Sequence, residues 1–272
     1  MTSFDETSMW EALGLNARAG TPGRPVVAIV GGGGKTALLY RLGVEAEARG
    51  LRAILGGTTR FTPAAHSAMP PAVEASDASM VEAARAALET QSVIVVTTGD
   101  APQGRLAPLS PETIDALARL EGVGLVAVEA DGSKMRPFKA PDDHEPVIPA
   151  WTTHVVVVVG ADAVGAPIDE AHVHRPERVR AILDAAGIDA SMATPEAIAA
   201  VLLDAAGGRR GVGGRHFVVV VNKADSHADA ASMLGRAVEA AGAPRVVLAA
   251  LRDAARPVRG VATRAGGLEG GA

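Results

Sequence analysis

The chain has 272 residues, 31 acidic against 26 basic side chains, a formal net charge of -5 and no cysteine. The missing cysteine excludes disulfides, thiolate metal sites, iron–sulfur clusters, a cysteine nucleophile and any persulfide or selenosulfide carried on this chain. The acidic balance argues against a broad nucleic-acid or anionic-membrane surface, and with aromatics at 3% the core has to be built from Val, Leu, Ile and Ala.

The first ten residues carry Asp5 and Glu6 and no apolar run, which does not read as a secretory signal. Residues 1–24 are expected as an N-terminal extension with a short helix, small and turn-rich from 17 onward. Strands are expected near residues 25–30, 51–56, 92–97, 123–129, 154–159, 217–221 and 245–249. Helices are expected over 35–49, 76–89, 111–120, 176–186, 195–206 and 228–241, three of them opening on a proline suited to the first turn. This alternation predicts an α/β fold with a mostly parallel sheet and helices on both faces. Several strands are continuously apolar, as burial on both faces requires. Residues 207–215 (Gly-Gly-Arg-Arg-Gly-Val-Gly-Gly-Arg) read as a mobile basic loop, and 256–272 as a flexible tail behind one domain over 25–255. The longest apolar stretches are far too short to cross a bilayer. A cytoplasmic protein with no membrane or nucleic-acid partner is expected.

The strongest local signal follows the first strand: Gly31-Gly32-Gly33-Gly34-Lys35-Thr36, opening into the helix at Ala37. Glycines let backbone N–H groups turn toward an anion, and a helix N-terminus adds its positive dipole. Lys35 is placed to reach terminal phosphates and Thr36 to ligate Mg²⁺. The spacing is not the common P-loop, whose first glycine would fall on Ile29. It is a shortened G-x-x-G-K-T, as in Mur-type peptide ligases. The dinucleotide pattern G-x-G-x-x-G fails too, because its third glycine would be Thr36. A P-loop NTPase-like fold binding Mg²⁺ with ATP or GTP is therefore expected.

A second signal closes the strand at 123–129. Glu129 and Asp131 stand two apart at its end, facing the same way, placed to hold Mg²⁺ or orient water. Asp131-Gly132 also reads as a simple turn. Three cations follow, Lys134, Arg136 and Lys139, which either clamp transferring phosphate or form a solvated basic loop. Asn222-Lys223-Ala224-Asp225 follows a late strand and matches the N-K-x-D base-reading motif of GTPases. An aspartate accepts from both guanine N1–H and N2–H₂, while the lysine stem stacks on the base. The alternative is a polar turn with Asp225 or Ser226 capping the next helix. Thr58-Thr59-Arg60 and Gly104-Arg105 read either as cleft lining or as turn chemistry. His172 and His174 form an H-x-H without a clear third zinc ligand, and Arg175-Pro176-Glu177 reads as a helix start.

Together these segments resemble the YqeC-like accessory proteins of selenium-dependent molybdenum hydroxylases. The specific part is Glu129-Ala-Asp-Gly-Ser133 with Arg136-Pro-Phe-Lys-Ala-Pro141 and His144-Glu-Pro-Val-Ile-Pro149, alongside Gly31–Thr36, Thr58-Thr59-Arg60, His174-Arg-Pro-Glu177 and Asn222–Asp225. The resemblance implies a nucleotide-dependent factor that matures a molybdenum hydroxylase, partnered by that enzyme or its cofactor-insertion machinery, whether the inserted ligand is selenium, sulfur or another element. On that reading the chain is a slow NTP hydrolase or phosphotransferase, with Lys35, Glu129, Asp131, Lys134 and Arg136 at the reacting phosphates and Thr36, Glu129 and Asp131 around Mg²⁺. A small-molecule kinase or nucleotide-activating ligase, and a non-catalytic nucleotide-switched docking module, stand as alternatives.

Overall fold

A computed structural model describes residues 8–15, 24–63 and 70–264. In chain order its strands are β1 (Val26–Gly31), β2 (Arg52–Gly57), β3 (Ala72–Glu74), β4 (Val93–Thr97), β5 (Asp100–Ala101), β6 (Arg105–Leu106), β7 (Val123–Glu129), β8 (Phe138–Lys139), β9 (His154–Gly160), β10 (Val173–His174), β11 (His216–Asn222), β12 (Arg245–Ala249) and β13 (Val258–Thr263). The helices are α1 (Met9–Leu13), α2 (Lys35–Ala48), α3 (Asp77–Ala87), α4 (Pro111–Leu117), α5 (Pro176–Ala185), α6 (Pro195–Leu203) and α7 (Ala228–Ala240).

Nine strands form one sheet in the order β13-β12-β11-β9-β1-β7-β2-β4-β3. All neighbours run parallel except β13, which is antiparallel to β12. Alternate residues of a strand face opposite sides, and here both sides are apolar. Val26, Ala28 and Val30 of β1 enter one core with Met80, Ile114, Val179, Ile198 and Leu234. Val27 and Ile29 enter the other with Met9, Trp10, Leu38 and Leu42. The sheet is therefore covered by α3 to α7 on one face and by α1 and α2 on the other, and β1 and β9 are buried along their whole length. Two of the proline-led helices are capped as the sequence suggests: Ser110 and Thr194 accept hydrogen bonds from the Thr113 and Ala197 amides.

The chain differs from expectation in three places. Residues 258–263 are not tail: they add β13 as an edge strand, half exposed and interrupted by Gly260. Such an edge has little β-propensity to announce it, because its partner supplies the ladder. The basic loop at 207–215 is held down: Arg215 Nε donates to Thr152 O at 3.0 Å, Arg210 Nη2 to Asp143 O at 2.9 Å, and Val212 is buried. Strands β3, β5, β6, β8 and β10 are two or three residues long, too short to leave a period-two signature. At the N-terminus, α1 docks on α2 through the Glu45 carboxylate, which accepts from the Met9 and Trp10 amides at 3.0 and 2.8 Å. The turn-rich stretch expected from residue 17 lies, apart from Arg24, outside the described residues, as does the chain beyond 264. Among the described residues no helix is long and apolar enough to cross a membrane.

Candidate functional site

In the order of the sheet, β1 lies between β7 and β9, where the connections turn from one half to the other. The carboxyl ends of parallel strands at such a reversal form the crevice in which open α/β sheets bind ligands. The glycine loop, both acidic residues and the Asn222–Asp225 turn all lie at these ends.

The loop that joins β1 to α2 is threaded between three neighbours. Gly33 has φ 75°, and a Cβ on it would lie 2.3 Å from the Gly160 amide nitrogen; one on Gly34 (φ 152°) would lie 2.2 Å from Asn222 Nδ2. No other residue fits either position. Two loop amides are committed to protein: Gly31 N–H to Asp131 Oδ2 at 2.9 Å and Gly32 N–H to Val158 O at 2.8 Å. The next five, from Gly33 to Ala37, donate to no acceptor among the described residues. A helix start leaves such amides unpaired, and here they open on the crevice end of β1. Lys35 is curled back over the loop, its Nζ 2.7 Å from Gly31 O and 3.2 Å from Asp131 Oδ1.

The two carboxylates do different work. Glu129 Oε1 accepts from Thr36 Oγ1 at 2.5 Å. Burial raises its pKa above the usual carboxylate value, against the lowering effects of Lys35, the Thr36 hydrogen bond and Arg105. Asp131 is neutralised instead: besides the Gly31 amide and Lys35, its Oδ2 lies 2.9 Å from Lys139 Nζ. Lys139 in turn donates to Gly132 O at 2.6 Å and Glu145 Oε2 at 2.7 Å. Glu145 is then bound by Arg175, Nη1 to Oε2 at 2.7 Å. Arg175 Nε also lies 3.3 Å from Asp142 Oδ2, and Arg178 binds Asp142 and Asp143 at 2.6 and 2.9 Å. An alternating chain of charge thus runs from Lys35 to the start of α5. Burial on its own would raise the Glu145 pKa, but Arg175 and Lys139 outweigh it and hold the carboxyl at about 2.

Of the cations singled out by sequence, the structure brings the side chain of Lys139 to Asp131 and leaves those of the other two outside. Arg136 donates from Nε to Glu170 O at 3.1 Å, and Lys134 is exposed at φ 46° without a hydrogen bond or ion pair among the described residues. A guanidinium that sequence left ambiguous comes closer. Leu106 bridges to Phe61 just after β2, and Gly57 of β2 pairs with Glu129. Arg105 is thereby carried near enough to lower the Glu129 pKa, while making no hydrogen bond or ion pair of its own among the described residues. Thr58 braces the same edge, its Oγ1 donating to Val147 O at 2.6 Å; Arg60 is exposed.

Arg175 begins α5 as expected, but in a left-handed conformation (φ 61°) with no side-chain cap, its guanidinium spent on Glu145. The two histidines do not converge. His172 Nδ1 lies 2.7 Å from exposed Asp169 Oδ1, whereas His174 is buried, its pKa lowered to about 4 by burial and by the charges of Arg175, Lys139 and Lys134. Among the described residues no group of three or more His, Asp and Glu side chains is arranged to hold a metal ion.

At the far side of the crevice Asn222 ties three loops together, Nδ2 donating to Gly33 O at 2.8 Å and Oδ1 accepting from the Leu251 amide at 3.1 Å. Lys223 (φ 67°) has its Nζ 2.6 Å from Asp162 Oδ2. Neither Asp225 nor Ser226 caps α7, whose N-cap is His227 without a side-chain bond.

A family model described as "YqeC protein" matches residues 27–177. The chain belongs to the YqeC family. A protein of Escherichia coli (strain K12), described as "Uncharacterized protein YqeC", is 37% identical over 158 residues. That match covers 57% of this chain and 60% of the relative, so the chain spans less than two thirds of the relative's length. The YqeC segment holds the glycine loop, Glu129, Asp131 and the charge chain as far as Arg175, and stops short of Asn222. What sequence reasoning missed is the role of Lys139, Glu145 and Arg175 as one buried network; their signal was the run of charged residues inside the motifs that carry the family resemblance.

Proposed function

We propose that this protein binds a Mg²⁺–purine nucleoside triphosphate at Gly33–Ala37 and slowly hydrolyses it or transfers its terminal phosphoryl group. The observation that carries this reading is the row of five uncommitted amides at the start of α2, together with Lys35 curled back on Gly31 and the Thr36–Glu129 pair. The Thr36 hydroxyl and the Glu129 carboxylate are hard oxygen donors of the kind Mg²⁺ takes, with phosphates and water completing its shell. A buried carboxylate whose pKa is raised by desolvation gains most from such a cation. Bound there, Mg²⁺ supplies charge neutralisation between the phosphates.

The chain's own residues do the rest. The amides orient the phosphates, and Lys35 moves from Gly31 O and Asp131 to the terminal groups, where charge develops in the transition state. Lys139 keeps Asp131 neutralised when Lys35 leaves, so Asp131 goes on fixing the Gly31 amide. Arg105 is the uncommitted cation nearest the Glu129 side. In calorimetry, Lys35→Ala is expected to lower nucleotide affinity at least tenfold and to abolish turnover; a variant with wild-type affinity and turnover overturns the proposal.

The maturation role rests on the family resemblance: the protein would supply nucleotide-driven gating or docking to a molybdenum hydroxylase or its cofactor-insertion machinery. Lacking cysteine, it would leave any selenium or sulfur to another carrier. Nucleotide-dependent association with the unloaded hydroxylase tests this, and association indifferent to nucleotide speaks for a plain docking module. A second reading, a kinase or activating ligase for a small cofactor precursor, is favoured by a partly open cleft against the loop, lined by Gly31, Asp131, Phe138, Lys139 and Leu202. Turnover that appears only with a molybdopterin-type compound would select it.

A further inference from the structure

Asn222-Lys223-Ala224-Asp225 lies outside the family match, and hydrolysis as argued above makes no use of it. We propose that this turn is the base site and that the bound nucleotide is a guanine nucleotide; the inference rests on the nucleotide reading given above. Its geometry begins with topology. Strand β11 stands one strand beyond β9, on the side of β1 away from the acidic pair, so its carboxyl end is where a base extends when the phosphates lie on the start of α2.

Asn222 fixes the distance between the two ends of the ligand. Its amide donates to Gly33 O inside the phosphate loop, and its carbonyl receives the Leu251 amide from the loop after β12. Both polar atoms are satisfied by protein, so the residue serves as a brace. Lys223 is set in the left-handed region, sparsely used by residues with a side chain, and Asp162 holds its ammonium at 2.6 Å. With its head pinned, the stem of Lys223 is an apolar strip at the crevice edge, suited to lie along a base. Asp225 is exposed and makes no hydrogen bond or ion pair among the described residues, although helix α7 begins three residues later with an N-cap that lacks a side-chain acceptor. Its carboxylate is therefore not spent on that helix.

A carboxylate sorts purines by chemistry. Guanine presents two adjacent donors, N1–H and N2–H₂, to its two oxygens, a bidentate charge-assisted pair. Adenine presents a lone pair at N1, which faces the carboxylate unfavourably, and a site built to accept hydrogen bonds rejects the analogue that lacks the donors. The expected preference is therefore for guanine over adenine by about 100-fold or more.

The test is calorimetry of the full chain with the diphosphates of guanosine, adenosine, inosine and xanthosine in Mg²⁺. Guanosine diphosphate is expected to bind tightest, with inosine diphosphate, which lacks the 2-amino donor, weaker by about tenfold. Asp225→Asn, isosteric at an exposed turn, is expected to exchange the preference toward xanthosine diphosphate, whose 2-oxygen accepts from the new amide. Adenosine diphosphate binding as tightly as guanosine diphosphate, or an unchanged guanosine-to-xanthosine ratio in Asp225→Asn, overturns the base assignment and leaves the phosphate site standing. Absence of binding by all four overturns both. The inosine arm uses the wild-type protein, so it reads out even where the variant fails to fold.

Discussion

Replacing Lys139 by Met removes one cation from the centre of the charge chain while keeping an unbranched side chain of similar reach. Lys139 has 2% side-chain exposure and sits 2.9 Å from Asp131 and 2.7 Å from Glu145. Breaking a buried ion pair by removing one partner costs about 3–5 kcal/mol when the other charge is left alone. Here each carboxylate keeps a second cation, Lys35 on Asp131 and Arg175 on Glu145, which favours the lower end. The Glu145 pKa gives an independent scale. Against the raising effect of burial, Arg175 and Lys139 bring it from 4.5 to about 2, worth about 3 kcal/mol at 1.36 kcal/mol per pKa unit. Half of that, about 1.5 kcal/mol, is the share of Lys139 at Glu145 alone, and the lost Asp131 contact at 2.9 Å adds to it. The sign with pH follows from the depressed pKa: Glu145 contributes fully above 4.5, and its contribution is lost as pH falls toward 2. Urea unfolding of wild type and Lys139→Met should thus differ by about 3 kcal/mol at pH 7, with the gap closing toward pH 2.5. A difference below about 1 kcal/mol at pH 7, or a gap that does not change with pH, refutes the network as a source of stability.

Glu129→Gln is expected to leave stability at pH 7 unchanged or raise it by about 1 kcal/mol, while Mg²⁺-dependent nucleotide affinity drops by about tenfold. The raised pKa means that wild type loses stability as pH climbs past the ordinary value of 4.5, a loss the glutamine variant should not show in pH-resolved melts. Gly33→Ala combines a left-handed φ with a Cβ 2.3 Å from Gly160 N; unfolding should show a cost of about 3 kcal/mol, and calorimetry no nucleotide heat. His154 stacks on His216 at 4.7 Å, and burial followed by that neighbour's charge lowers its pKa to about 4. A base with a depressed folded pKa loses stability as pH falls from 6.5 toward 4, so His154→Gln should flatten that limb of the stability curve.

Seven of the eight long strands among the described residues, all but β13, and the six long helices were legible because their signals are local: unbroken β-branched runs, proline after Ser or Thr, and helical composition between them. The glycine loop was legible for the same reason, since strand, glycines and helix start are contiguous. The division of labour between Glu129 and Asp131 was not, because it depends on which cation each meets. Asp131 meets Lys139 across eight residues of irregular chain and Lys35 from another strand end. Glu145 and Arg175 were illegible as a pair for the same reason, thirty residues apart and brought together by the short ladder of β8 and β10. Arg105 reaches the site through the isolated Phe61–Leu106 bridge and the Leu109–Gly57 hydrogen bond, which no periodicity announces. Lys134 and Arg136 looked equivalent to Lys139 in sequence; the left-handed turn at Lys134 and Met135 sends the first of them outward.

The most direct measurement is a calorimetric titration of the wild-type chain with ATP and GTP, each with and without Mg²⁺. The proposed function predicts saturable one-to-one binding of at least one nucleotide, strengthened by Mg²⁺ through Thr36 and Glu129. Heats no larger than dilution up to millimolar concentrations of both nucleotides, with Mg²⁺ present, would contradict it.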